Sequence, residues 1–126
     1  MANTSPIYDP GQAITGKATG AAVTGGRFVK VASAKSDGEA TPVAHCGASD
    51  IPLGVAGADA AENALTPVYG DGFVMPVEAS ANVNAAVEVE VDAAGKVKTF
   101  ASGRKVGVTL TAGSTSVAPL VRINIR

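Results

Sequence analysis

The stretch "AVEVEVDAAGKVKTF", residues 86–100, decides the fold class. Val87, Val89 and Val91 alternate with Glu88, Glu90 and Asp92, and strict period-two alternation marks a strand with one buried face. The break at Ala93-Ala94-Gly95 then fixes a hairpin register. A three-residue loop sets Asp92 opposite Lys96, Val91 opposite Val97 and Glu90 opposite Lys98. Apolar meets apolar and acid meets base, each good pair contributing about 0.2–1 kcal/mol. A two-residue loop would set Val97 against Asp92 and spoil every pair. The turn expected here is a type I turn with Gly95 in the left-handed position of a bulge.

The same pattern extends along the chain. Short runs rich in Val and Thr predict strands at 27–33, 40–46, 53–57, 65–69, 73–78, 104–111 and 117–125. The last alternates Val117, Val121, Ile123 and Ile125 inward with Arg122, Asn124 and Arg126 outward. "SDGE", residues 36–39, reads as the turn between the first two. Only "DAAENAL", residues 59–65, has helical composition, for one or two turns at most. Fifteen glycines and seven prolines break any longer helical pattern. The reading is all-β, a small β-barrel or β-clip-like domain with short hairpins.

One pattern occurs twice. In "IPLGVAGADAAENALTPVYGDG" (51–72) and "KVGVTLTAGSTSVAPLVRIN" (105–124), an aliphatic residue precedes Gly-Val, at Leu53-Gly54-Val55 and Val106-Gly107-Val108. A small polar insert follows, then Pro67 or Pro119 among aliphatic neighbours. Each copy reads as strand, turn, strand, and a glycine inside a strand marks a bend or a close backbone approach. The two units are expected to pack as pseudo-equivalent halves of one barrel. Convergence between short apolar strands is the alternative.

A chain of 126 residues sets one domain. Residues 1–20 carry few large apolar side chains and read as an extended N-terminal arm, with 21–126 as the β domain. Ile7, Tyr8 and Ile14 are the arm's candidate anchors on a partner. The core is built from Ala and Val, with aromatics at 4% and no Trp. Such a thin core gains from burial against a partner, which points to a homo-oligomer. Ten basic and eleven acidic residues are interspersed, apart from Glu88, Glu90 and Asp92. That excludes the basic stripe that nucleic-acid binding needs. No apolar stretch reaches membrane-spanning length, and the N-terminus lacks the basic and apolar regions of a secretory signal. A soluble protein made in a cytoplasm is expected.

Motifs for chemistry are thin. "GQAITGKA" (11–18) matches a phosphate loop up to its last position, where Ala18 replaces the hydroxyl that holds magnesium. No buried strand precedes it and no helix is expected after it. His45 and Cys46 are adjacent, so on a strand they point to opposite faces and do not form a nucleophile–base pair. A single cysteine excludes an intrachain disulfide, and one His with one Cys falls short of a closed metal site. Asp50, Asp59, Glu62 and Asp71 fall in expected turns, where backbone geometry explains them. Neither catalytic residues nor a cofactor or metal site are assigned. The expected product of this chain is an interface rather than a reaction.

Three stretches carry a family resemblance: "AAVTGGRFVKVA" (21–32), "PLGVAGADAAENALTPVYGDGFV" (52–74) and "VGVTLTAGSTSVAPLVRI" (106–123), with the Val-rich hairpin through Gly95 between them. With these the chain resembles the small capsid-decoration, or cement, proteins of tailed bacteriophages over most of its length. The resemblance implies a compact β domain on the outer surface of the virion, synthesised in the host cytoplasm and without membrane or nucleic-acid partners. It implies a trimer, with a dimer as the alternative, that bridges major capsid protein subunits after shell expansion and braces the head against packaged DNA. It also implies that the N-terminal arm adds a strand to the capsid protein, a role that Ile7, Tyr8 and Ile14 fit. Tyr8, Tyr69, Phe28, Phe73 and Phe100 are the aromatic hot-spot candidates. Another virion component, such as a tail part, or a carbohydrate-binding β module is the competing reading.

Overall fold

The computed structural model describes residues 13–125. Among these residues, ten strands form two five-stranded units in succession. In the first, β1 (Ile14–Ala18), β2 (Phe28–Val31), β3 (Thr41–His45), β4 (Gly54–Ala56) and β5 (Leu65–Tyr69) close a barrel in the order β1-β3-β2-β4-β5. In the second, β6 (Val74–Pro76), β7 (Glu88–Val91), β8 (Val97–Thr99), β9 (Lys105–Thr109) and β10 (Leu120–Ile123) form a sheet ordered β6-β10-β9-β7-β8. Its two edges meet at a parallel bridge between Ala79 and Val97, as β1 meets β3 in parallel in the first unit.

The two units are repeats of one plan. Phe28 pairs with Val55 and Val29 with Gly54; Glu88 pairs with Val108 and Val89 with Gly107. The Gly26 N–H donates to the Ala56 carbonyl at 2.8 Å, and the Ala86 N–H donates to that of Thr109 at 2.8 Å. The Cys46 N–H donates to Phe28 O at 3.0 Å, and the Phe100 N–H to Glu88 O at 2.9 Å. Isolated bridges join Val23 to Ala60 and Val83 to Gly113. The doubled Gly-Val pattern therefore does not build two halves of one barrel. Each copy supplies neighbouring strands, β4–β5 and β9–β10, to its own unit.

The glycines of that pattern are required by contact. A Cβ on Gly54 would collide with the Tyr69 carbonyl oxygen, and a Cβ on Gly107 would lie 2.5 Å from that of Arg122. Tyr69 and Arg122 are equivalent positions, so both repeats use glycine to bring the same two strands together.

The expected hairpin is present with its register: Glu90 pairs with Lys98 and Val91 with Val97, and the Asp92 N–H donates to Lys96 O at 2.7 Å. Its turn differs from the expected one, because Ala94 (φ 57°) and Gly95 (φ 77°) are both left-handed. Four other expectations change. Residues 14–18, assigned to the arm, form β1 inside the first barrel, so the body begins before residue 21. Residues 59–65 make no helix; Ala60 is held by the bridge to Val23, and Asn63 turns the chain at φ 71°. Glu90, expected to face solvent, is buried. The final strand is shorter than expected and leaves Val117 exposed in the preceding loop.

The core has two compartments. Ala18, Val29, Val43, Ala56 and Val68 fill the first barrel. Val89, Val97, Val106, Val121 and Ile123 form the core of the second unit, and Phe28, Cys46 and Val55 of the first repeat join that cluster. Strands β2 and β4 are thus covered on both faces, Val29 and Ala56 inside their own barrel and Phe28 and Val55 in the seam. Fully burying a valine contributes about 1.5–3 kcal/mol, so a seam closed by Phe28 and Val55 joins the repeats firmly.

Candidate functional site

The seam is where most of the singled-out residues meet. The β7–β8 tip reaches across it. The Gly95 N–H donates to Cys46 O at 2.7 Å, and a Cβ at residue 95 would collide with the Phe28 carbonyl. Arg27 of the first repeat pairs with Glu78 of the second at 2.6 Å. Tyr69 and Phe73 stack edge to face with ring centroids 4.9 Å apart. Of the aromatic candidates, Phe28 is therefore a seam residue and Tyr69 and Phe73 support it. Phe100 is half-buried beside the seam, with the Lys105 ammonium 4.9 Å from its ring centroid. A cleft of about 620 Å³ opens there, lined by Ala48, Ser49 and Asp50 of the first repeat and Phe100, Arg104 and Lys105 of the second.

His45 and Cys46 part as the strand geometry required. Cys46 faces the seam, and burial pushes its thiol up to about 12, so the nucleophilic thiolate is not populated near neutrality. His45 Nε2 accepts the Thr24 N–H at 2.9 Å. Burial and the nearby Arg27 hold its pKa below the ordinary imidazole value, so it stays neutral as an acceptor. Lys17 and Ala18, the end of the phosphate-loop look-alike, lie within barrel strand β1, where the motif would need the start of a helix. No cluster of three or more His, Cys, Asp or Glu suited to a metal ion occurs among the described residues.

The turn carboxylates have structural roles. Asp50 accepts the Gly47 N–H at 2.8 Å and pairs with Lys30 at 2.9 Å, which together hold its pKa down. Asp59 accepts the Gly25 N–H and Asp71 the Ile125 N–H. Glu90 Oε2 accepts N–H groups from Ala101, Ser102 and Gly103, and those bonds hold its pKa below the usual carboxylate range. Of the arm candidates, Ile7 and Tyr8 lie outside the described residues. Ile14 is half-buried in β1 and pairs with Val68.

An apolar surface on the outer face of the second repeat is open to solvent. Arg122 is flanked by Val74 and Val108, and Leu120 bonds along the same face to Leu110. All four aliphatic residues are exposed. Composition predicted a protein with something to bind, and the exposed aliphatics were readable as strand residues. Which strand faces were covered depended on the second repeat, and no local pattern encodes that.

A family described as phage cement protein matches residues 8–125. The chain belongs to the phage cement protein family. Among solved structures it is similar to the N base of the head fibre gp8.5 of bacteriophage phi29, with a TM-score of 0.71 at 18% identity. That likeness covers 89% of this chain and 92% of the other, and shows a shared fold. No curated protein matches the chain. The family makes this chain a capsid-associated structural protein of a phage head.

Proposed function

We infer that the chain binds the outer surface of an expanded phage capsid as a small cyclic homo-oligomer, a trimer, and bridges major capsid protein subunits. In doing so it braces the head against the pressure of packaged DNA, after synthesis in the host cytoplasm. The observation that carries this reading is the cement-family match over residues 8–125. The architecture supports it. Two β units locked through a buried seam make a stiff body, and stiffness is what a brace between neighbouring subunits requires. Contacts repeated by symmetry raise avidity by about 10²–10⁴-fold without any strong single site.

The residues ahead of β1 supply the capsid-binding arm in this reading, with Ile7 and Tyr8 as anchors. Ile14 is the point where the arm enters the barrel. The test is co-sedimentation with expanded capsids stripped of accessory proteins, counting bound copies, for the full chain and for a form lacking residues 1–12. The truncation stops there because β1 pairs with both β3 and β5, and removing it would open the barrel. Saturable binding at a symmetry-related copy number, lost in the truncated form, is expected. Absence of binding by the full chain to capsids of its own phage would overturn the reading. Undiminished binding by the truncated form would overturn the arm's part in it.

A further inference from the structure

The dipeptide Asp-Gly occurs twice in the chain, at Asp37-Gly38 and at Asp71-Gly72. Both copies sit at the middle of a four-residue turn. In one, the Glu39 N–H donates to Ser36 O at 3.2 Å; in the other, the Phe73 N–H donates to Gly70 O at 3.4 Å. Each glycine takes the left-handed conformation favoured at the third position of such turns, φ 76° at Gly38 and 93° at Gly72. Both aspartates and both glycines are exposed. The two sites therefore match in sequence, in turn geometry and in access to water.

They differ in what the rest of the fold does with their polar groups. At the second site, Asp71 Oδ1 accepts the Ile125 N–H at 2.7 Å, and the Gly72 N–H donates to Ile123 O at 2.8 Å. The end of β10 and the residues after it thus hold both halves of the dipeptide. At the first site, neither the Asp37 carboxylate nor the Gly38 N–H makes a hydrogen bond or ion pair among the described residues. The turn supplies none, because its own bond joins the first residue to the fourth. Every residue from 31 to 39 is exposed.

We propose that Asp37 is a site of spontaneous backbone isomerisation to isoaspartate, and that the fold protects Asp71 from the same reaction. The Gly38 nitrogen attacks Cγ of the protonated Asp37 carboxyl, and glycine, lacking a Cβ, leaves that approach open. A C–N bond forms and a C–O bond breaks, and the carboxyl hydroxyl leaves with the amide proton as water. The product is a five-membered succinimide. Water then adds at the α-carbonyl of the ring, whose bond to nitrogen breaks. The backbone now runs through the former side-chain carbonyl, and the α-carboxylate is free. Water released in the first step is consumed in the second, so no other reactant is required. At Asp71 the carboxylate and the amide must each leave a partner first, and the reaction waits on local opening. The change at Asp37 lengthens the β2–β3 connection by one backbone atom. It falls beyond the pairing of Val31 with Val43 and the bond from the Ala32 N–H to Pro42 O, so the first barrel is kept.

The experiment is to age the full chain in warm, mildly acidic buffer and map its chymotryptic peptides by mass spectrometry. Isoaspartyl methyltransferase detects the product, and electron-transfer fragmentation assigns its position. Isoaspartate at residue 37 is expected to exceed that at residue 71 by about tenfold or more, the factor set by the opening that Asp71 needs. A parallel sample in denaturant should bring the two sites to comparable rates, because the dipeptide is the same. Asp37→Glu lengthens an exposed, unpaired side chain, and should remove the signal at residue 37 without changing the melting temperature. Equal accumulation at the two sites of the folded chain, or none at residue 37, would overturn the proposal. So would a preference for Asp37 that persists in denaturant, since the flanking sequence would then be its cause.

Discussion

Glu90 sits in an alternating strand at a position that should face water, yet it is buried beneath residues 101–103. Three backbone N–H groups converge on its Oε2, at 3.1, 3.2 and 2.7 Å, and Lys98 approaches Oε1 at 3.5 Å. Truncation would remove the charged acceptor shared by three donors in the turn that leads into β9. Glu90→Ala should therefore destabilise by about 1.5–3 kcal/mol, read as a lower midpoint in denaturant. An unchanged midpoint would mean that the turn holds itself. The direction of the pKa shifts sets the pH response. Glu90, Asp92 and Asp50 are held down by hydrogen bonds, so their stabilisation is present above the ordinary carboxylate range and lost as pH falls through their native values. His45 is also lowered, so its contribution begins to fade below about 6.5. Cys46 is raised to about 12, and its contribution is lost only as pH rises above the ordinary thiol range. Melting temperature should hold near neutrality, fall slowly below the imidazole range and steeply below about 4. A second residue-scale test comes from the repeat. Ala86 has φ 60° where its counterpart Gly26 has φ 80°. A left-handed alanine costs roughly 1–2 kcal/mol, partly offset by the entropy a glycine would lose, so Ala86→Gly should stabilise by about 0.5–1 kcal/mol. Destabilisation would show that the alanine methyl packs more than its backbone strains.

At the scale of elements, legibility followed from how many faces of a strand are covered. The β7–β8 register was readable because its pairs are chemically distinct, and one slip would have put valine against aspartate. Strand β1 was not, because its inward positions are Gly16 and Ala18 in a tightly filled barrel, and small residues leave no apolar pattern. In "GVA" of β4 every residue is buried, since the seam covers the face that alternation would leave to water. The helical composition of 59–65 lost to a bridge and a left-handed asparagine, both tertiary constraints. The Gly-Val pattern was visible as a doubling, but its cause, the close approach of β4 to β5 and of β9 to β10, was not. That cause makes a paired prediction. Gly54→Ala and Gly107→Ala each drive a methyl toward a carbonyl oxygen of the neighbouring strand. Each should cost about 1–3 kcal/mol, the usual range for overpacking. Equivalent losses in the two variants would support one shared geometry. Tolerance at either position would show that the repeats have diverged at the crossing.

At the scale of the molecule, the question is whether two repeats behave as two units or one. In a simple tandem array each unit keeps its own core, and stability is a sum of unit and neighbour contributions. Here the second core includes Phe28, Cys46 and Val55 from the first repeat, and the β7–β8 tip bonds to the first through Gly95. Neither unit can lose its structure without exposing buried surface of the other. Each is also small: half of a 126-residue chain buries too little of its own surface to be more than marginal alone. Calorimetry at a concentration where the chain is monomeric should therefore show one transition, with calorimetric and van't Hoff enthalpies in agreement. Val55→Ala tests the coupling at its centre. It removes a fully buried seam side chain from β4 and should destabilise by about 1.5–3 kcal/mol. Because the seam belongs to both repeats, the whole transition should move to lower temperature without splitting. Two resolved transitions in the parent, or a variant in which only part of the heat signal moves, would show independent units. Two independently melting units would let the body bend at the seam, whereas a single cooperative body has the stiffness that the proposed bracing role requires.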